Sequence, residues 1–219
     1  MPDALNYAKY FIYKKLDTYS NTFDGNMKIQ KLLVFANVIS LAIRGIPLFD
    51  DTILAFRQGC VIENVRLRYK NDYAGLTRES ENFSLEFTQE EFEVLNICIS
   101  IFGNLTAREL SNLNHSFNFW KEAYEYSIQP GGYHDKNKAV VSVESINTDL
   151  DRIREIIEVF KKTQAETRAK EVINGIEFLY NPKEIIVTDD IIDELFVFSM
   201  DAEDLVYTVY TDNGTLVIC

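Results

Sequence analysis

The hydrophobic pattern of this 219-residue chain changes period near Ile176, and that change restricts the fold more than any motif does. Before it, apolar residues recur every three or four positions, the spacing of one helix face. After it come short runs rich in β-branched and aromatic residues, IEFLY, EIIV, ELFVFS, LVYTVY and TLVIC, the composition of strands. Helices first and strands afterwards predict an α+β protein. It has a mainly helical N-terminal domain, residues 1–140, then a long helix and a small acidic β-rich unit with a terminal hairpin, residues 141–219. The helical domain is expected to fold alone.

Leu5, Ala8, Ile12, Leu16 and Tyr19 mark a first helix from Asp3 to Tyr19. A turn-rich gap, SNTFDGN, leads to a second from about Met27 to Arg44, with Ile29, Leu32, Leu33, Ala36 and Ile43 inward and Gly45 ending it. TILAFRQGCVIENV is ambiguous, its glycine suggesting a turn before a short helix ending near Tyr69. Thr88 with Glu91 and Thr106 with Glu109 form the Thr-x-x-Glu capping pattern of two further helix starts. A helix from Asn118 to Tyr126 carries Trp120, the only tryptophan, and Pro130-Gly131-Gly132 opens a loop to the domain boundary. Ile146, Leu150, Ile153, Ile157 and Phe160 then lie on a heptad seam of a long helix expected to stop at Asn174-Gly175. Asp212-Asn213-Gly214 supplies the positive φ angles of a hairpin turn between the last two runs.

No apolar run approaches the roughly 20 residues of a membrane span, and MPDALNYAKYF lacks a basic start with an apolar stretch, so a cytoplasmic protein is expected. Cys60, Cys98 and Cys219 have neither disulfide nor zinc spacing, and no cofactor is implied. His115 and His134 lack visible catalytic partners, and the named catalytic motifs are absent, which argues against an enzyme. His115 reads as a structural hydrogen-bonding group, His134 as solvated loop and Trp120 as core. Lys28, Gln30 and Lys31 read as the solvated side of their helix.

Charge is uneven. Residues 1–140 hold 15 Lys+Arg against 17 Asp+Glu, and residues 141–219 hold 7 against 17, so most of the net −12 lies in the last third. Direct nucleic-acid binding is disfavoured, because it depends on basic residues displacing phosphate counterions. Between Glu184 and Asp212 there are nine acids and no Lys or Arg. They are either solvated surface or a docking face for a basic protein. The candidate partner-binding residues are Asp189, Asp190, Asp193, Glu194, Asp201, Glu203 and Asp204, interleaved with apolar residues. Alternation along ELFVFS puts Phe196 and Phe198 on one strand face.

Three stretches, one opening with Lys28-Ile29-Gln30-Lys31-Leu32-Leu33, one containing Phe56, Gly59, Cys60 and Val61, and one with Leu110, Ser111, Leu113, His115 and Trp120, together resemble, across about residues 5–126, the Panacea domain of antitoxins and phage-associated proteins. Lys28, Ile29, Gln30, Lys31, Leu32, Leu33, Phe35 and Ala36, closed by Gly45, Pro47, Leu48 and Phe49, match its opening helix. Phe56, Gly59, Cys60 and Val61 followed by Tyr69 and Lys70 are similar to its second element, with Cys60 where the family has proline. Leu110, Ser111, Leu113, His115 and Trp120 are similar to its third, with Asn114 in place of threonine. The resemblance implies an antitoxin that neutralises a cognate protein toxin by direct binding. A branch of the family implies an adaptor delivering a bound protein to a Clp-type protease. A phage protein blocking a host factor through its acidic region is a further alternative.

Overall fold

The computed structural model describes residues 3–81, 87–212 and 214–219. In chain order these form α1 (Ala4–Tyr13), α2 (Phe23–Arg44), β1 (Ile53–Phe56), β2 (Gly59–Ile62), α3 (Glu63–Asn71), α4 (Tyr73–Glu81) and α5 (Gln89–Phe102). They continue as α6 (Ala107–His115), α7 (Asn118–Ser127), β3 (Ile128–Gln129), β4 (Tyr133–His134), α8 (Val143–Asn147) and α9 (Leu150–Thr167). Last come β5 (Ala169–Ile173), β6 (Ile176–Tyr180), α10 (Asp189–Ser199), β7 (Val206–Asp212) and β8 (Thr215–Ile218). The α+β class expected from the sequence holds.

The first unit is built around α2. The expected five-residue inward face understates it: every residue from Lys28 to Ala42 is buried, while Ile43 is exposed. A helix buried around its circumference belongs at the centre of a core. By length and hydropathy α2 would also suffice to cross a bilayer, a longer apolar run than the sequence reading allowed, yet 83% of that stretch is buried within the protein. It starts four residues earlier than expected, because Thr22 caps it by accepting from the Gly25 N–H at 3.1 Å. Helix α1 stops at Tyr13, short of the expected Tyr19. Lys15 takes a positive φ of 56°, and the Leu16 and Lys15 amides bond back to the Phe11 and Ile12 carbonyls, the paired bonds of a Schellman stop.

Both expected capping boxes form, at Thr88–Glu91 and Thr106–Glu109. The ambiguous segment is an antiparallel hairpin, β1 with β2, turning at Arg57-Gln58 and extended on one side where the Ala55 amide donates to the Ala139 carbonyl and the Val141 amide donates to the Ile53 carbonyl. The expected single helix from Ile146 is broken after Asn147. The Asp149 carboxylate is buried and accepts from the Phe119 amide at 2.9 Å, so the chain turns before α9 begins.

The chain divides into two compact units inside α9, between Ile157 and Glu158. Ile146, Leu150, Ile153 and Ile157, read as the seam of a linking helix, are buried in the core of the first unit. Divided there, the first unit has 17 basic against 21 acidic residues and the second 5 against 13.

The second unit is a four-stranded sheet, order β5-β6-β7-β8, with β6 and β7 parallel and the outer pairs antiparallel. A parallel pair needs a crossover, and α10 supplies it. ELFVFS is therefore helix, contrary to the strand reading, and EIIV lies in the connection before it. Thr188 caps α10 by accepting from the Ile191 amide, and Asp189 and Asp190 occupy its favourable first turn. Phe198 packs against Phe178 and Tyr207, while Phe196 is exposed, so the two do not share a face. AKEVI is strand β5 and not helix: Asn174 at φ 52° and Gly175 at φ 84° make the tight turn into β6 instead of a helix stop. The expected terminal hairpin is present as β7–β8, although Asn213 in its turn lies outside the described residues.

Candidate functional site

The residues that carry the resemblance converge on the β1–β2 hairpin. Lys28, Gln30 and Lys31, expected on the solvated side of α2, are buried. Each satisfies backbone that no ladder reaches, which explains polar residues on a core helix. The Lys28 ammonium donates to the Gly103 carbonyl at 2.7 Å and to Thr18 Oγ1 at 3.0 Å. Gln30 Oε1 accepts from the Ile62 amide at 2.7 Å, and the Lys31 ammonium donates to the Cys60 carbonyl at 2.8 Å. Nearly two turns further along, Asn37 Oδ1 accepts from the Leu48 amide at 2.7 Å and from that of Phe49 at 3.3 Å, which shapes the Gly-x-Pro-Leu-Phe segment.

The third stretch closes on the hairpin from the other side. Asn114 Oδ1 accepts from the Cys60 amide at 2.7 Å, Ser111 Oγ donates to the Gln58 carbonyl, and Trp120 Nε1 donates to the Phe56 carbonyl at 2.9 Å. Gly59 stands where a Cβ would meet Asn114 Oδ1 and Lys31 Cε at 2.7 Å, and its φ is +93°, so both space and backbone require glycine. Cys60, where the family has proline, keeps an amide that Asn114 uses.

Trp120 packs on the core as expected, with Tyr124 stacked on its ring at 5.0 Å and the His115 ring tilted against it at 4.0 Å. His134 is not simply solvated. Its Nε2 lies 3.0 Å from the Ala55 carbonyl and its ring stands edge-on to Phe56. Burial, with Lys31 nearby, pushes His115 below the ordinary histidine range. Burial drives the Lys31 ammonium down to about 8 and the Cys60 thiol up to about 12. Cys60 and Cys98 are buried free thiols.

The seven candidate acids all lie on the second unit and all are exposed. Asp189, Asp190, Asp193 and Glu194 belong to α10, and Asp201, Glu203 and Asp204 to the connection into β7. Among the described residues none of them pairs with a lysine or arginine. Exposed Phe196, Val197, Met200, Leu205 and Val206 lie among them in the chain. Periodicity in the sequence places these acids on surface in either reading, but only the structure separates the exposed apolar residues from buried Leu195 and half-buried Phe198.

No curated protein and no solved structure gave a significant match to the chain. Within the first unit, from α2 to the middle of α7, residues 29–121 match the model of the family described as antitoxin SocA-like, Panacea domain, and the match takes in the hairpin and the helices that clamp it.

Proposed function

We propose that the protein is a cytoplasmic antitoxin that neutralises a protein toxin by binding it directly, without catalysis, and that its acidic unit selects the partner. The observation that carries this reading is the run from Asp189 to Val206: seven exposed acids without basic partners among the described residues, interleaved with exposed apolar side chains. Such a surface attracts a basic protein over a distance and then holds it by apolar contact. The Panacea match supports an antitoxin-like role and a protein partner in general.

Attraction between exposed charges is screened over about 8 Å at physiological salt. Association with the toxin is therefore expected to slow as salt rises. Converting Asp189, Asp190, Glu203 and Asp204 to their amides should lower the on-rate about tenfold or more at low salt, with little change in off-rate. Stopped-flow or surface binding kinetics at low and high salt would read both. An on-rate indifferent to salt and to the amide changes would leave the acids as solvated surface.

A further inference from the structure

A cavity of about 510 Å³ opens on the first unit, between the start of α2, the turn of the β1–β2 hairpin and α3. Its apolar wall includes Met27, Phe56, Val61 and the ring of Tyr69, with Phe23 exposed beside them. Its charges have one sign. Lys31, Arg57, Arg66 and Lys70 line it and no Asp or Glu does, in a chain whose net charge is −12. Arg66 is already held by Glu63 at 2.7 Å. Arg57 and Lys70 are exposed and form no ion pair among the described residues.

Lys31 is the residue that asks for a ligand. It is fully buried. Among the described residues its ammonium donates to a single acceptor, the Cys60 carbonyl, and has no carboxylate at ion-pair distance. An ammonium has three N–H donors, so two remain, and a buried cation without a counter-charge is costly to maintain. A carboxylate entering from the mouth would meet Arg57 and Lys70 and carry its charge toward Lys31, while an adjoining apolar side chain would lie along Phe56 and Tyr69.

The geometry points to a recognition pocket for an acidic peptide segment of a protein, a carboxylate next to a large apolar side chain, distinct from the acidic surface of the second unit. A nucleic acid fits less well. The basic rim is confined to one cavity, and a phosphate backbone would face net negative charge on both units. The volume suits a few side chains of a peptide rather than a tracked polyanion.

The test uses the full chain and a displayed library of random peptides, counter-selected against an Arg57→Gln/Lys70→Gln double variant. Both changes are on exposed side chains, so the fold should be kept, as an unchanged thermal midpoint would verify. Selection should enrich Asp or Glu beside a large apolar residue. The consensus peptide should bind saturably, and its amide twin, with Asn or Gln in place of the acid, about tenfold more weakly or worse. Binding should fall similarly in the double variant and stay unchanged in the variant carrying the four amides on the second unit, which keeps this inference separate from the toxin-binding reading. No enrichment, a consensus without an acid, or equal binding of the two twins would overturn it. Acetate or inorganic phosphate competing as tightly as the peptide would make the cavity a free-anion site. A single-stranded oligonucleotide shifting the same residues more strongly would make it a nucleic-acid site.

Discussion

A chain cut after Val140 is expected to lose its cooperative unfolding transition, whereas one ending at Phe160 should keep it. The resemblance ends near residue 126 and the loop at Pro130 looks like a boundary, yet the core continues past both. Val141, Ile146, Leu150, Ile153 and Ile157 are buried against the first unit. Arg152 adds hydrogen bonds to Ser116 and lies 4.3 Å from the centre of the Phe117 ring, and Arg154 donates to the Ala42 carbonyl at 3.0 Å. The four large aliphatic side chains on α8 and α9 alone contribute about 1.5–3 kcal/mol each. Their sum is comparable with the entire stability of an ordinary domain, about 5–15 kcal/mol. Thermal denaturation followed by circular dichroism would separate the fragments. A sharp, native-like transition in the shorter one would show that the seam residues add little.

Lys31→Met is expected to leave the protein at least as stable as wild type at pH 7, despite removing a hydrogen bond from the core. Burial lowers the Lys31 ammonium from the ordinary 10.5 to about 8. Below pH 8 both the folded and the unfolded chain hold the proton, and the folded state bears the full cost of the buried charge, about 3 kcal/mol. Between pH 8 and 10.5 the unfolded chain binds the proton and the folded chain releases it, so this residue's contribution to stability rises with pH. Methionine fills similar space without the charge, and replacing a buried charge by an apolar isostere is often neutral or stabilising. The advantage of the variant over wild type should therefore shrink by about 2 kcal/mol between pH 7 and pH 10. Cys60, Cys98, Tyr7 and Tyr69, which burial drives upward, oppose the trend in each protein. They cancel to first order in the difference. Denaturant unfolding of both proteins across this range would measure it, and a difference constant with pH would contradict a charged Lys31 in the core.

Features written in local chemistry were legible in the sequence. Thr88–Glu91, Thr106–Glu109 and Gly45 each act through neighbours within a turn, and each does what its spacing implies. Features that depend on distant backbone were not. Lys28, Gln30 and Lys31 look like a solvated strip because nothing nearby in the chain reveals the Gly103, Ile62 and Cys60 groups they satisfy. ELFVFS carries β-prone residues, but the parallel pairing of β6 with β7 requires a crossover there. Thr188 and the Ile191, Leu195, Phe198 spacing were the local signs of it. Asn174-Gly175 reads equally as a helix stop and as a hairpin turn, and only the partner strand Ile176–Tyr180 decides between them. The acidic candidates were legible as surface. The basic cavity was not, because Lys31, Arg57 and Lys70 are brought to one wall only when α2, the hairpin and α3 pack together.

Direct binding of the proposed toxin is tested most directly by co-expression with the toxic product sought in a neighbouring open reading frame, with growth and complex formation followed together. Wild type should restore growth and co-purify with the toxin at fixed stoichiometry by size-exclusion chromatography with light scattering. The chain with amides at Asp189, Asp190, Glu203 and Asp204 should remain folded, form the complex more slowly and restore growth less. Restored growth without any complex between the two purified proteins would contradict the account.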